Sequence, residues 1–335
     1  MTIKIKSELV TIGVIAYNEE KYLPYLLENI LEQTYPKQKI ELVFVDSASN
    51  DKTLLIFKNF KENHSNDYLN IQILENENKT QPSSWNLVIK NFTTDILLRI
   101  DAHAELPQNF VEENLNCLNN GEMVCGGPRT NIIDSDTKWS QTLLHVEESM
   151  FGSSIASYRR KSDKDDLKYV KTLFHAAYRK EVFDNVGFFN EKLLRTEDNE
   201  FHYRVREKGY KICFNGKINS LYHTRNTLKK MIIQKYSNGF WIGKTAHYCL
   251  PCLSVFYFVP LVFLLSFVIS IILLIFGYWY FIFLILVPYF GLMFYISSIN
   301  LLKYKNIFDL LIPFLCLIIH ISYGLGTLIG LLSRK

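Results

Sequence analysis

The sequence predicts an α/β protein with a mainly parallel sheet flanked by helices, followed by C-terminal transmembrane helices. Up to about residue 245, apolar β-branched runs alternate with amphipathic stretches, which is typical of strands and helices in a parallel sheet. Between Cys252 and Leu332, by contrast, the charged residues are Lys303, Lys305 and Asp309. The 37 basic and 33 acidic side chains thus distinguish a charged N-terminal part from an apolar C-terminal part.

The first strand and helix are predicted from two adjacent patterns. Val10 to Ala16 is a continuous apolar and β-branched run, which predicts a buried strand. A helix is predicted from Lys21 to Gln33, because leucines and isoleucines recur on one face and Tyr35-Pro36 ends it.

The same alternation repeats along the chain, and it indicates a sheet with helices on both faces. The further predicted elements are a strand over Glu41–Val45, a helix reaching Phe60, a strand over Ile71–Leu74, a helix over Ser84–Asn91 and a strand from Asp95 to Asp101. In such sheets the ligand binds beyond the carboxyl ends of the strands.

Polar residues collect at these predicted strand ends. Asp101 and His103 end the fourth strand two residues apart, where they are placed to hold a divalent cation against a phosphorylated ligand. The chain has no GxGxxG after its first strand, no GxxxxGK[ST] and no GxSxG. Dinucleotide, P-loop and α/β-hydrolase sites therefore lack their motifs, and a metal ion is expected to replace the glycine-rich loop.

Three apolar stretches, 254–276, 278–299 and 307–332, each approach the ~20 residues that cross a hydrocarbon core of ~30 Å. We therefore predict a domain over 1–224, a basic amphipathic interfacial segment over 225–250 and a membrane domain over 251–335. The interfacial segment interleaves lysines with apolar residues, which suits a helix in the headgroup layer.

The expected location is a cell membrane, with several crossings and the N-terminal domain in the cytoplasm. No cleavable signal precedes the first strand. Three crossings place Lys303 and Lys305 inside, as the positive-inside rule prefers, but they place Arg334 and Lys335 outside. Because the last stretch contains Pro313 and several glycines, a re-entrant or interfacial path that returns the tail to the cytoplasm stays open.

Four motifs in order resemble the family 2 glycosyltransferases with the GT-A nucleotide-diphospho-sugar transferase fold. They are Val14–Glu20, Val45–Thr53, Asp101–Ala104 and Thr196–Asp198, and the resemblance extends over about Val10 to Trp241. The pattern is most similar to the membrane-attached bacterial branch that includes succinoglycan-type exopolysaccharide glycosyltransferases.

The resemblance implies a donor site for a nucleotide diphosphate sugar, most often a UDP-sugar. Ala16, Tyr17 and Glu19 would border the nucleoside, with Glu19 on the ribose, and Asp46 would hydrogen-bond the base. Three further residues would lie along the donor pocket, namely Asn78, Lys79 and Asn86.

The resemblance also implies a divalent cation, Mn²⁺ or Mg²⁺, at the Asp-x-Asp motif. Here the third position is His103, which either joins Asp101 as a ligand or faces the sugar. Imidazole suits Mn²⁺ and other transition metals. His223 falls where many relatives place a histidine, and it is expected to bind the metal or to contact the diphosphate.

Asp198 matches the family's catalytic base, and Glu197 is expected to position the base or the sugar. Acidic residues are also favoured in a first helical turn by the helix dipole alone. Gly127 and Trp241 are predicted on the acceptor side. An ordinary turn and membrane anchoring, respectively, are their alternative explanations.

Together these features predict an inverting, metal-dependent transfer of a sugar to a polyprenyl-diphosphate-linked saccharide during extracellular or capsular polysaccharide assembly. Segment 234–241 matches the Gln-x-x-Arg-Trp motif of processive members poorly, which favours transfer of one sugar per acceptor. Transfer to a free polyprenyl phosphate, or a catalytically silent scaffold that binds nucleotide sugar, are the alternatives. A net charge of +4, with a basic cluster beside the membrane segments, argues against nucleic-acid binding.

Overall fold

The computed structural model describes residues 8–149, 151–152, 166–224 and 227–333. These residues form two compact units. The first unit is drawn from 1–130 and 157–222, and the second from 131–156 and 223–335.

Eleven strands are present in the described residues. They are β1 (Val10–Ala16), β2 (Ile40–Asp46), β3 (Asn70–Glu75), β4 (Ile96–Asp101), β5 (Ala104–Glu105), β6 (Val124–Gly126), β7 (Arg129–Ile132), β8 (Leu167–Tyr169), β9 (Ala176–Arg179), β10 (Ile212–Asn215) and β11 (Ser220–His223).

Eleven α-helices accompany them in the same part of the chain. They are α1 (Leu23–Leu31), α2 (Thr53–His64), α3 (Gln81–Asn91), α4 (Phe110–Asn119), α5 (Lys138–Glu148), α6 (Lys180–Val186), α7 (Glu197–Glu207), α8 (Leu228–Ala246), α9 (Val259–Ile275), α10 (Tyr280–Tyr304) and α11 (Ile312–Leu332). Short 3₁₀ turns occur at Lys37–Lys39, Leu250–Cys252, Val255–Phe258 and Ile307–Leu311.

The main sheet has eight strands in the order β3-β2-β1-β4-β9-β6-β10-β8. The pairs β3-β2, β2-β1, β1-β4 and β6-β10 are parallel, whereas β9 runs antiparallel to both its neighbours and β8 runs antiparallel to β10. The predicted α/β class is therefore confirmed, and the antiparallel insertion of β9 makes the sheet mixed. A smaller sheet has the order β5-β11-β7.

The strands β1 and β2 form as predicted because their residues are buried on both faces. All seven residues of β1 and all seven of β2 are buried. Helix α3 begins three residues before its predicted start, because Thr80 accepts a hydrogen bond from the Ser83 backbone N–H and Pro82 stands in the first turn.

The second unit contains α5 and the helices from α8 to α11. Three helical stretches are long and apolar enough to cross a membrane, at Val255–Ile275, Tyr280–Tyr304 and Ile307–Leu332. The predicted first domain included residues 131–156, but α5 belongs to the second unit. Leu143 and Val146 of α5 pack with apolar residues of α8, α10 and α11 there, which explains this assignment.

The predicted interfacial segment, 225–250, largely forms α8, which ends at Ala246. Arg225, at the start of that prediction, lies outside the described residues.

Candidate active site

The carboxyl ends of β1, β2 and β4 lie side by side in the first unit. Ala16 pairs with Asp46 across β1 and β2, and Ile15 pairs with Asp101 across β1 and β4. The parallel register thus brings the predicted nucleoside and metal residues to one edge of the sheet, as expected from the rule for such sheets.

Asp46 is buried at this edge and has an oxygen without a protein partner. Its Oδ2 accepts a hydrogen bond of 3.1 Å from the Ser49 backbone N–H, whereas its buried Oδ1 accepts none. A buried carboxylate oxygen without a partner is costly, because it loses its hydration with no compensating hydrogen bond. The geometry suits a carboxylate that receives a hydrogen bond from a ligand.

The loops that follow β1, β2 and β3 each contain a non-glycine residue in the left-handed region. Their φ values are 55° at Asn18, 54° at Ala48 and 55° at Lys79. Such conformations store strain, and they persist where the surroundings hold them. Here the Asn18 N–H donates to Ser49 Oγ at 2.9 Å, and the Asn50 N–H donates to Asn18 Oδ1 at 2.8 Å.

The remaining predicted nucleoside residues differ in their availability. Tyr17, Asn78 and Lys79 are exposed near these strand ends, so their side chains are accessible to a ligand. Glu19, in contrast, is already paired, because its Oε1 lies 3.0 Å from His103 Nδ1. A ribose hydroxyl would therefore share this carboxylate with His103.

Asn86, which was predicted along the donor pocket, holds a neighbouring segment of the protein. Its side-chain Nδ2 donates to the Phe189 carbonyl at 3.0 Å and to Glu191 Oε1 at 2.8 Å, while its Oδ1 accepts from the Phe189 N–H at 2.8 Å. Both amide donors are thus used within the protein. The structure gives Asn86 a positioning role for the segment that precedes α7.

The catalytic candidates at the start of α7 surround a buried arginine. Arg99, on β4, donates from Nη2 to Glu197 Oε1 at 3.0 Å. Its guanidinium lies over the rings of Trp85 and Phe189, at 4.8 and 5.1 Å from their centroids. The side chains of Arg99 and Glu197 are only 3% and 2% exposed, so water screens this pair poorly.

Asp101 and Asp198 both act electrostatically on this pair. Their charges raise the pKa of Arg99, although its burial lowers it. Burial first, and then the charge of Asp198, raises the pKa of Glu197, against the opposing effect of Arg99. Because both aspartates act on the same two residues, the predicted metal ligand and the predicted base lie in one cluster.

This cluster has more negative than positive groups, and several of its atoms lack partners. Arg99 faces three carboxylates, while Asp101 Oδ1, Glu197 Oε2 and two guanidinium nitrogens are buried without hydrogen bonds. A cation, or a ligand that brings one, would offset the excess of negative charge in this cluster. Asp101 thus fits a divalent cation through an oxygen of the type that such ions prefer.

His103, predicted as a possible metal ligand, is held by Glu19 in this arrangement. Burial lowers its pKa, but the hydrogen bond to Glu19 and the charges of Glu19 and Asp101 outweigh burial and raise the pKa to about 9. Across the described residues, no group of three or more His, Cys, Asp or Glu side chains is arranged to hold a metal ion.

His223 and Trp241 belong to the second unit. His223 Nδ1 lies 2.7 Å from Asp134 Oδ1 in that unit, and Trp241 packs edge-on against Phe240 in α8. A partner aspartate for His223 was not foreseen from the sequence.

Gly127 is required by the chain itself. A Cβ at this position would lie 1.9 Å from the Ile218 carbonyl oxygen and 2.4 Å from that of Asn215. The close backbone approach expected at Gly127 is thus made by the protein's own carbonyls, which explains the glycine without an acceptor.

His175 supports Asp101 from beneath the site and was given no role from its position in the sequence. Its Nε2 accepts from the Asp101 backbone N–H at 3.3 Å, and its Nδ1 lies 2.9 Å from Ser220 Oγ. Burial, together with the cations His103, Arg99 and Arg129, lowers its pKa well below the usual value. His175 is therefore neutral, as an acceptor at Nε2 must be.

Comparison with known proteins links this site to one family. The family model "Glycosyl transferase family 2" matches residues 11–187. The dolichyl N-acetyl-alpha-D-glucosaminyl phosphate 3-beta-D-2,3-diacetamido-2,3-dideoxy-beta-D-glucuronosyltransferase of Methanococcus voltae is 28% identical over 236 residues, which cover 69% of this chain and 71% of that protein. The succinoglycan biosynthesis protein ExoA of Rhizobium meliloti is 23% identical over 66% of this chain and 65% of its own length, slightly under two thirds.

A solved structure shares the fold. The mannosyltransferase PcManGT from Pyrobaculum calidifontis, in complex with GDP-Man and Mn²⁺, superimposes with a TM-score of 0.53 at 20% identity. The match covers 72% of this chain and 64% of that one. It confirms the predicted GT-A architecture of the first unit.

Proposed function

This chain is a member of glycosyltransferase family 2, and we propose that it transfers a sugar, with inversion, from a nucleotide diphosphate sugar to a membrane-associated saccharide linked to a polyprenyl diphosphate. The observation that carries the proposal is the cluster at the sheet edge. Asp101 and Asp198 share the field of the buried pair Arg99–Glu197, so a phosphate-binding residue and a base are close together.

In this proposal Asp198 accepts the proton of the acceptor hydroxyl as that oxygen attacks the anomeric carbon. A carboxylate within hydrogen-bond reach of a hydroxyl performs this step in many enzymes. Asp198 is partly exposed in the first turn of α7, so an acceptor can approach it. Inversion follows because the hydroxyl attacks from the side opposite the departing nucleoside diphosphate.

Glu197 serves as a positioning residue through Arg99. The 3.0 Å ion pair ties the first turn of α7 to β4, which also carries Asp101. Further along α7, Arg204 donates hydrogen bonds to the carbonyls of Val186 and Phe188, at the start of the segment that leads into α7. These contacts support a fixed distance between the base and the donor phosphates, which orientation-dependent catalysis requires.

A divalent cation, Mn²⁺ or Mg²⁺, would be held by Asp101, with phosphate oxygens of the donor completing its coordination. When bound, it would stabilise the charge that develops on the departing diphosphate. The unpartnered Asp101 Oδ1 supports this assignment, as does the Mn²⁺ in the structure of the Pyrobaculum mannosyltransferase. His103 is better suited to hold Glu19 than to bind the ion.

Asp46 is proposed to accept a hydrogen bond from the nucleotide base, with Ala16, Tyr17 and Glu19 along the nucleoside. The buried and unpartnered Asp46 Oδ1 supports this role. Asn78 and Lys79 are placed along the donor because both are exposed in the loop after β3. A UDP-sugar is the proposed donor class.

A lipid-linked acceptor is supported by the three helical stretches that could span a membrane and by the name of the Methanococcus relative, which includes a dolichyl phosphate sugar. We place the enzyme in a bacterial cell membrane with its catalytic domain in the cytoplasm, in polysaccharide assembly. Trp241 is proposed to contact the acceptor sugar, whereas Gly127 is better explained by backbone packing.

The test is an assay of the detergent-solubilised full chain with a panel of nucleotide sugars. Each donor is offered with a polyprenyl-diphosphate-linked saccharide, with a free polyprenyl phosphate or without acceptor, and each reaction is run with Mn²⁺ and with EDTA. The proposal expects nucleoside diphosphate release that requires both the saccharide acceptor and the cation.

Turnover on the free polyprenyl phosphate alone would replace the proposed acceptor. Binding of a donor without any turnover would identify a catalytically silent scaffold that binds nucleotide sugar. Turnover that persists in EDTA would show that the reaction needs no divalent cation.

A further inference from the structure

Helix α11 is apolar enough to cross a membrane, but amphipathic helices of the second unit cover one of its faces from end to end. Its first half, including Ile312, Leu315 and Ile319, packs against Leu143 and Val146 of α5. In its middle, His320 donates from Nε2 to the Phe151 carbonyl at 2.6 Å. The chain just after α5 therefore reaches the centre of α11.

The second half of α11 packs closely against α8. A Cβ on Gly326 would lie 2.1 Å from the Tyr236 carbonyl oxygen, and one on Gly330 would lie 2.1 Å from that of Phe240. Reciprocally, a Cβ on Gly243 would lie 2.3 Å from the Thr327 carbonyl oxygen. The residue numbers at these contacts increase in the same direction along both helices. Helix α8 and this half of α11 therefore run parallel and in contact.

The helices that cover α11 carry buried charged groups as well as apolar ones, and a hydrocarbon core would not tolerate those charges. Lys235 of α8 forms a buried 2.6 Å ion pair with Glu147 of α5. Asp309, just before α11, is fully buried and accepts hydrogen bonds from Thr142 and His145 of α5. Placing α5 and α8 beside a helix that spans the bilayer would bring these charges to membrane depth.

The contacts that α11 makes with α9 and α10 also extend over too short a length of those helices for a membrane crossing. Asp309 accepts from Ser297 of α10 through its carbonyl, and His320 accepts from the Tyr289 hydroxyl through Nδ1. These α10 residues are eight positions apart, which is ~12 Å of helix rise. A full crossing covers ~30 Å.

On α9 the contacts turn back towards the first turn of that helix. His320 lies against Phe263, with ring centroids 6.3 Å apart, whereas a Cβ on Gly324 would lie 2.4 Å from the Pro260 carbonyl oxygen. Further along α11 the partner is α8, which precedes α9 in the chain. Helix α11 therefore starts and ends near the same end of the α9–α10 pair.

We infer that α11 does not cross the membrane but lies along its surface, on the side of α5 and α8, with its uncovered face in the lipid. That face presents a stripe of exposed apolar side chains at helical spacing, namely Phe314, Ile318, Leu325, Ile329 and Leu332. Exposed apolar side chains also cover α9, whose first turn packs on Gly324. The occupant of this surface is lipid hydrocarbon.

The arrangement gives two crossings, α9 and α10, rather than three. Lys303 and Lys305, and the two basic residues that follow α11 in the sequence, then lie on the same side of the membrane as α5 and α8. This agrees with the positive-inside rule, which three crossings satisfy only in part. The inference concerns the path of the chain and does not depend on the reaction that the first unit catalyses.

Cysteine labelling of the full chain in cells tests the side of the C-terminus. Three variants each add one cysteine: Glu62→Cys on exposed α2, Trp279→Cys in the connection between α9 and α10, and a cysteine tag after Lys335. The parent chain measures the labelling of the six native cysteines. A membrane-impermeant maleimide should label Trp279→Cys in intact cells, and the other two only after permeabilisation.

Labelling of the tag together with Trp279→Cys in intact cells would overturn the inference, because α11 would then cross. Identical labelling of Glu62→Cys and Trp279→Cys would overturn the two-crossing arrangement as well. In either case glycosyl transfer, measured on the same cells, would report separately on the proposed function.

A depth measurement tests whether α11 lies in the plane. Phe314→Cys and Leu332→Cys carry a fluorophore whose quenching by lipids labelled at known depths is measured in reconstituted vesicles. The two positions are 18 residues apart, which is ~27 Å along a helix. An in-plane helix gives them similar depths near the surface, whereas depths that differ by most of that length would overturn the proposal.

Discussion

Buried carboxylates in the two units differ in how fully their oxygens are hydrogen-bonded. In the first unit, Asp46 Oδ1, Asp101 Oδ1 and Glu197 Oε2 are buried at or near the sheet edge without partners. In the second unit, both carboxylate oxygens of Asp309 accept hydrogen bonds from α5. Buried polar groups in proteins are normally paired, so the unpaired set marks a place prepared for a ligand, whereas the paired set fixes structure.

The largest effect is expected from Asp198→Asn. The amide cannot accept the proton of the acceptor hydroxyl, so turnover should fall by about 10²- to 10⁴-fold while donor binding persists. The measurement is nucleoside diphosphate release beside donor affinity. Asp184→Asn, on the exposed side of α6, is the matched control and should keep full turnover. Full turnover in Asp198→Asn would show that Asp198 is not the catalytic base.

Asp101→Asn should affect transfer nearly as much, but through the donor. Losing the charged oxygen should weaken donor binding, lower turnover by about 10²- to 10³-fold and reduce its dependence on Mn²⁺. Since its Oδ1 has no protein partner, the thermal stability of the variant should not fall. A large loss of stability would show instead that Asp101 belongs with the structural charges.

Asp309→Asn is expected to show the reverse pattern. The substitution weakens charged hydrogen bonds to Thr142 and His145, which should lower the free energy of unfolding by about 1–3 kcal/mol. Donor affinity, measured on the same purified protein, should stay at the parent value. A variant that unfolds like the parent but loses donor binding would contradict the distinction between the two units.

A further effect is a pH dependence set by His202, which is buried between Tyr178 and Thr172. Burial, with Arg99 and Arg206, lowers its pKa from 6.5 to about 3. Below pH 6.5 the unfolded chain therefore binds a proton that the folded chain does not. As the pH is lowered below this value, His202 should decrease the free energy of unfolding by about 1.4 kcal/mol per pH unit.

His202→Gln should remove that contribution and keep the two hydrogen bonds. Denaturant unfolding between about pH 6 and pH 4 should show a shallower slope in the variant than in the parent. Parallel slopes would mean that His202 takes up its proton equally in both states.

The sequence predicts most of what depends on local pattern. The strand ends at Asp46 and Asp101 follow from apolar runs that stop at a polar residue, and the parallel register then brings them together. The place of Asp198 in a first helical turn agrees with the preference of acidic residues for that position. Pairings between distant elements are harder to foresee, because they depend on packing rather than on neighbours in the chain.

Arg99 is the clearest example of what was missed. It pairs with Glu197, 98 residues away. A lone arginine within the otherwise apolar strand Ile96–Ile100 was an available signal, since buried charges are nearly always paired. The sequence carried no such signal that α5 belongs to the second unit, because the apolar face of α5 could have packed on any element.

The hydrogen-bonded loops after β1 and β2 have a consequence for how a donor binds. Because Asn18, Ser49 and Asn50 are joined by the protein's own hydrogen bonds, folding itself meets the cost in chain entropy of ordering these loops. Nucleotide entry should therefore leave this part of the backbone where it is, to within about 1 Å. Crystals soaked with nucleotide should then keep their lattice, and any slow step in association should arise elsewhere.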